Sequence, residues 1–259
     1  MKQRLMLSVD NLYHYTKFET AIRILSSGQL FLSSYSNCND INENCGPTVI
    51  STGEDSQEIW NILKYYVQVS FSMDAHCDNM TKRGYNIPMM WGHYAENGKG
   101  VCIAFDKQEV LDAITEDDRL YSRKVEYSNI WDWSAINYDK KLHGDALNFI
   151  CRAKDCIFFH KTKDWEYENE YRIIAFNDCE QRMTLDIGNC LSGIILFSRN
   201  HENFINSSEV KALSKIVGLE KIYRYVSWGD SYGLYDYQGN LIEPKELKYD
   251  LSKTLNCQL

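Results

Sequence analysis

The sequence predicts an α+β fold: a single compact domain over residues 1–259, with mixed and antiparallel sheets and interspersed helices. Three observations predict it. Short runs of strand composition, among them VQVSFSM, VCIAF, EYRIIAF and GIILF, recur along the chain. Segments with helical spacing fall between them at irregular intervals, which argues against a doubly wound parallel sheet. No internal repeat or low-complexity tract divides the chain, and three prolines leave few places for a linker.

Taken in order, LYHYT is a short extended piece before a first helix. In KFETAIRILSSG, Phe18, Ala21, Ile22 and Leu25 recur at helical steps and Gly28 closes the run. QLFLSS is a short strand, and the polar stretch 36–55 a loop. EIWNILKYY is a short helix and VQVSFSM a strand. IPMMWGHYAENGKG predicts a helix with a glycine stop before the strand VCIAF, and 107–113 another short helix. RLYSRKVEYS alternates as a half-exposed strand. DALNFICRAKDCIFFHK is a longer amphipathic helix with Leu147, Ile150, Cys151 and Lys154 on its stripe. EYRIIAF, RMTLDI and GIILF follow as strands, then a helix over about residues 202–217, then KIYRYVSW and a closing hairpin.

Composition narrows the function classes. A 44% apolar fraction is enough for a core. A net charge of -8 and a pI near 5.3 argue against a broad basic surface for nucleic acid or acidic lipid, while leaving room for a local basic cleft. Nine cysteines, an odd number without a CxxC pair, point to reduced thiols and no metal site. The N-terminus has no signal-peptide pattern, and runs such as GIILF are too short to span a bilayer, so a cytoplasmic protein without membrane contact is expected.

Three stretches could carry chemistry. In WEYENEYRI, Glu166, Glu168, Glu170 and Arg172 recur at every second position, so an extended chain puts all four on one face. One reading is a solvated acidic edge. The other is a glutamate in a cleft that stabilises positive charge on a substrate, with Arg172 orienting its neighbour. Paired carboxylates suit a glycosidic or N-glycosidic bond, whose cleavage passes through an oxocarbenium-like state. In LYHYT, period two sets His14 and Thr16 opposite Tyr13 and Tyr15, so His14 is either a packed ring or a donor of hydrogen bonds to a ligand, together with Thr16. In MMWGHYAENGKG, Trp91 and Tyr94 fall three apart on one helical face, as core or as a stacking platform. NGKG lacks the spacing of a phosphate loop.

LYHYTKFETAIRILSSGQLFLSS, the loop of Asn39, Asp40 and Glu43, VSFS, MMWGHYAENGKGVCIAF and WEYENEYRI, in this order within residues 12–176, resemble an uncharacterised bacterial family, number 2971 among the domains of unknown function. Ile41 stands where that family usually has proline. The His-Tyr-Thr strand, followed by a helix ending in Ser-Gly and by a late glutamate, also resembles ADP-ribosyltransferase domains. That resemblance implies an ADP-ribosyltransferase-like fold and a protein that cleaves NAD as its substrate, a toxin or defence effector whose acceptor is nucleic acid or protein. It implies Glu170, Glu168 and His14 as catalytic residues. Tyr15, Thr16, Ser72, Trp91, Tyr94 and Arg172 would bind the substrate, with Tyr94 or Trp91 stacked on nicotinamide. Two other readings stay open: a binding module in which His14, Trp91 and Arg172 form a pocket without turnover, and a metal-dependent hydrolase or nuclease using Glu168, Glu170 and Asp40 or Asp164.

Overall fold

A computed structural model describes residues 10–37, 54–77, 80–130, 136–179, 181–228 and 231–243. The loop with Asn39, Asp40 and Glu43, and Cys38, Cys45 and Cys257, lie outside the described residues. The strands are β1 (Asn11–Thr16), β2 (Gln29–Phe31), β3 (Ser33–Ser34), β4 (Tyr66–Met73), β5 (Ala75–Cys77), β6 (Met80–Lys82), β7 (Val101–Asp106) and β8 (Leu120–Lys124). They continue with β9 (Glu126–Tyr127), β10 (His160–Lys161), β11 (Glu170–Phe176), β12 (Thr184–Asp186), β13 (Leu191–Phe197), β14 (Ile222–Trp228), β15 (Ser231–Tyr235) and β16 (Leu241–Glu243). The helices are α1 (Phe18–Ser27), α2 (Glu54–Leu63), α3 (Pro88–His93), α4 (Lys107–Thr115), α5 (Lys140–His143), α6 (Ala146–Phe158), α7 (His201–Asn206) and α8 (Ser208–Val217). The α+β class follows directly, in one compact arrangement with no closed barrel.

Among the described residues, one sheet dominates, in the order β16-β15-β14-β13-β7-β1-β4-β11-β8, with β3 added to β4. Its pairs are antiparallel except β13 with β14. The sheet is divided between β1 and β4. β1 pairs with β7 along its whole length, from Asn11 opposite Asp106 to Thr16 opposite Val101. Against β4 it keeps only Leu12 opposite Met73 and Tyr13 opposite Ser72. Beyond Tyr13 the two strands part, and β3 takes up the β4 edge further along, at Gln68 and Val67.

Alternation along the strands sends Leu12, Val69, Phe71, Ile103, Phe105, Ile173 and Ile194 into one core, on the face that α1, α4 and α8 cover. The opposite face carries two separate cores. Tyr66 and Ile174 join α2 and α6 at the β4–β11 end, and Tyr13, Tyr15, Cys102, Ile195, Tyr225 and Trp91 pack beneath the other half. The polar cluster described below lies between these two cores.

Several local expectations need correcting. On α6 the buried stripe is Ala146, Phe149, Ile150, Ala153 and Ile157, while Leu147 and Cys151 face outward. The expected helix over 202–217 is two helices, because Ser207 has extended backbone and caps α8 by accepting from the Val210 N–H. WEYENEYRI is not one extended strand: Lys163–Glu168 forms a 3-10 turn and the strand starts at Glu170. The glycine after NGK has a packing reason, since a Cβ on Gly100 would collide with the Thr16 carbonyl oxygen. Among the described residues no helix is long and apolar enough to cross a membrane.

Candidate active site

The parting of β1 from β4 opens a cleft of about 500 Å³. Residues from both faces of the sheet line it: His14 and Thr16 from the end of β1, Ser70 and Ser72 from β4, Glu170 and Arg172 from β11. Lys161 on β10, Glu168 at the end of the 3-10 turn and Tyr94 after α3 complete its polar end. At the other end Ile24, Leu30 and Phe31 give an apolar wall beside Ser33 and Ser34.

The register explains the polar end. Glu170 is opposite Ser72 and Arg172 is opposite Ser70, so these four side chains share the face that carries Tyr13. Arg172 is fully buried. Its Nε donates to Glu170 Oε1 at 2.7 Å and its Nη2 to Glu170 Oε2 at 3.1 Å, the two-pronged geometry of a guanidinium on a carboxylate. Its Nη1 donates to the Phe158 carbonyl at 2.6 Å, satisfying an orphan oxygen at the end of α6. Lys161 Nζ, also buried, lies 2.8 Å from Glu168 Oε2 and 2.9 Å from Glu170 Oε2. Two acids and two bases thus share a site from which water is largely excluded.

Glu168 enters the cluster by a turn rather than by strand alternation. Asn169 adopts φ 43° and ψ 56°, a left-handed conformation that asparagine tolerates better than most residues. Its side-chain amide donates to the Met73 carbonyl at 2.9 Å, and its own carbonyl accepts from the Met73 N–H at 3.0 Å. This anchor bends the chain so that Glu168 and Glu170 reach the same ammonium. Glu166 stays exposed and takes no part, so the expected row of four charges is a cluster of three joined by Lys161.

The two carboxyls differ in their proton affinity. Burial alone would raise Glu170, but the Arg172 and Lys161 charges outweigh it, with hydrogen bonds from Arg172 and Ser70, and hold Glu170 well below the usual carboxylate range. For Glu168 burial wins: its pKa is raised, although Lys161 opposes the shift, and Glu170 pushes the same way as burial. Tyr94 Oη donates to Glu168 Oε1 at 2.7 Å. Tyr127 Oη accepts from the Glu170 backbone N–H at 2.9 Å. The Ser72 hydroxyl is buried at the cleft without a hydrogen-bond partner among the described residues, a state usually relieved by water or a ligand.

His14, Thr16, Ser72, Tyr94, Glu168, Glu170 and Arg172 are therefore brought to one cleft. Trp91 is not. Its ring stacks on Tyr225 at 5.5 Å, meets Tyr15 edge-on, and donates Nε1–H to the Tyr85 carbonyl at 2.9 Å, so it is core and cannot face a ligand. Tyr94, the C-cap of α3, packs against the same apolar cluster as Trp91, but its hydroxyl reaches out to Glu168. Tyr15 borders the cleft, but its hydroxyl is committed to the Gly84 carbonyl at 2.8 Å. His14 is not a donor to the cleft through Nδ1, which lies 3.1 Å from the Ser70 carbonyl. Asp164 is exposed. The sequence reading missed Lys161: only two residues of strand precede the acidic turn, too few for any periodicity.

Residues 90–173 match the model of a family described as "Protein of unknown function (DUF2971)", a segment that runs from α3 to the middle of β11. Trp91, Tyr94, Lys161, Glu168, Glu170 and Arg172 fall inside the matched segment, and His14, Ser70 and Ser72 outside it. No curated protein and no solved structure matches the chain.

Proposed function

We propose that this chain, which matches the DUF2971 family model over residues 90–173, binds NAD in the β1–β4 cleft and cleaves its nicotinamide–ribose bond, passing ADP-ribose to a nucleic-acid or protein acceptor. The observation that carries the reading is the Glu170 carboxylate, buried, held ionised, and lining a cleft that His14 and Tyr94 share.

As the C1′–N bond breaks, its electron pair leaves with nicotinamide, and positive charge builds on the ribose. A fixed anion in a site of low dielectric stabilises that charge more in the transition state than in the ground state. Glu170 suits this role, since Arg172 and Lys161 keep it deprotonated and fix its orientation by hydrogen bonds. Glu168, with its raised affinity for protons, suits the second task of taking the proton from an acceptor hydroxyl or amine as the new bond to C1′ forms. Tyr94, hydrogen-bonded to Glu168, offers the aromatic wall for nicotinamide, a role Trp91 cannot fill. Ser72 and the free nitrogen of His14 are groups for sugar hydroxyls.

One observation favours a second reading, a ligand-binding module without turnover. The lone pairs of Glu170 are already engaged by Arg172, Lys161 and Ser70, as in a bridge whose role is to join β11 to its neighbours. The same engagement counts against a metal-dependent hydrolase, because two cations sit on the carboxylates that a metal ion would need.

Incubation of the purified protein with NAD, with free nicotinamide as the readout, tests the proposal. Wild-type release from both Glu168→Gln and Glu170→Gln would sink it. Saturable NAD binding without release would favour the binding module, and abolition of release by a chelator would point to a metal.

A further inference from the structure

Lys161 is a residue that the reaction scheme above uses only as a counter-charge, yet its placement is unusual. Lysine is rarely buried unless it is paired, because taking an ammonium out of water is unfavourable. Here it is 5% exposed, lies over the Trp165 ring at 5.3 Å, and has both glutamates within hydrogen-bond distance of one nitrogen. Arg172 is tied to Glu170 and to the Phe158 carbonyl. Among the described residues, the groups that face Glu168 include Lys161 from β10, Glu170 from β11, Tyr94 from the end of α3, Tyr127 from β9 and Tyr167 from its own turn. Of these five, Lys161 alone carries positive charge. Tyr94 favours the Glu168 anion through its hydrogen bond and Glu170 opposes it, so Lys161 supplies the opposite charge.

We infer that Lys161 is the positioning residue of this cluster: its ammonium clamps Glu168 beside Glu170 and decides whether Glu168 faces the cleft as a carboxylate or as a neutral acid. The charge balance makes the point. With Lys161 and Arg172 present, two anions meet two cations. Without Lys161, two carboxylates would share one guanidinium, and the one not gripped by it, Glu168, would take up the proton. As a claim about catalysis the inference rests on the NAD-cleaving reading, since Glu168 must be ionised to accept the acceptor's proton. As a claim about ionisation it does not depend on that reading.

The test is a direct titration of Glu168 in protein labelled with ¹³C in the glutamate side-chain carboxyl, its resonance assigned by its loss in Glu168→Gln. In Lys161→Met the midpoint is expected to move up by about one pH unit or more, the usual effect of removing an opposite charge at this range. In Lys161→Arg, which keeps the charge, it should stay near the wild-type value. Lys161→Gln, which keeps a donor and removes the charge, is measured alongside, so that a folding failure of the methionine variant leaves a readable result. Where the wild type releases nicotinamide, the acidic limb of its pH–rate profile should move with the titration in the uncharged variants and not in Lys161→Arg. An unmoved Glu168 midpoint in the uncharged variants overturns the inference. A wild type that releases no nicotinamide overturns the NAD reading instead, and the titration still decides the role of Lys161.

Discussion

His14 Nδ1 lies 3.1 Å from the carbonyl oxygen of Ser70, across the gap where β1 has left β4. A side chain thus meets a backbone acceptor that a neighbouring strand would otherwise satisfy. Since the carbonyl can only accept, Nδ1 carries the proton, and in the neutral ring Nε2 is left as an acceptor. Burial lowers the His14 pKa, so the ring is neutral at pH 7. His14→Phe keeps a ring against Phe71 and removes this nitrogen. It is expected to raise KM for NAD by up to about tenfold, the scale of one hydrogen bond, with a smaller change in kcat. The linkage sign follows from the lowered pKa: the folded state binds the proton less well, so stability is lost as pH falls below about 6.5. Thermal unfolding of His14→Phe should therefore weaken less than that of wild type on acidification from pH 7.

Glu170→Gln removes the anion and leaves Arg172 and Lys161 facing a neutral amide. Nicotinamide release is expected to drop by roughly 10²–10³-fold, the scale of losing one well-placed electrostatic partner in the transition state. Stability should fall as well, by about 3–5 kcal/mol, because breaking a buried pair strands a charge. Single-turnover release and urea unfolding measure the two effects separately. The wild type has a matching pH signature. Glu170 is held below its unfolded pKa, so its contribution is present above about pH 4.3 and is lost as the solution is acidified through the lower folded value. In Glu170→Gln that part of the acid loss should be missing.

How much of this was legible in the sequence can be judged residue by residue. Period two placed Glu170 and Arg172 on one face because β11 is a true strand from Glu170 onward. The same rule put Glu166 on that face wrongly, since the 3-10 turn and the left-handed Asn169 intervene, and single-residue turn geometry leaves only a weak local signal. The α6 stripe is ambiguous in the sequence because two apolar arcs, one with Leu147 and one with Phe149, share Ile150, and packing against α2 and the sheet residues Tyr66 and Ile174 decides between them. The cleft itself arises where β1 and β4, more than fifty residues apart, stop pairing after Tyr13. No local pattern encodes where two distant strands separate. The Ser70 carbonyl, which His14 meets across the gap, is reached because of that separation.

Trp91 provides a control on the site. It is expected to behave as a core residue: Trp91→Phe loses the Nε1–H bond to Tyr85 and part of the stack on Tyr225, and should lower stability by about 1–3 kcal/mol. KM for NAD and kcat should stay near wild-type values below the melting transition. A large rise in KM with unchanged Tm would mean that the indole meets the ligand after all.

Asn169 tests whether backbone geometry, rather than charge alone, builds the acid pair. Asn169→Gly keeps the freedom to adopt φ 43° but removes the side-chain bond to the Met73 carbonyl, so a loss of about 0.5–1.5 kcal/mol is expected. Asn169→Ala removes the same bond and adds the steric penalty of a left-handed residue with a Cβ, about 1–2 kcal/mol more. The order of Tm should therefore be wild type, then Gly, then Ala. The Ala variant can relieve its strain by straightening the turn, which would carry Glu168 away from Lys161 and Tyr94 while leaving Glu170 on its strand. Nicotinamide release should then fall more in Ala than in Gly, although neither variant touches a charged group. Equal activity in the two would mean that Glu168 need not be held at this turn, and the acid pair would lose its second member.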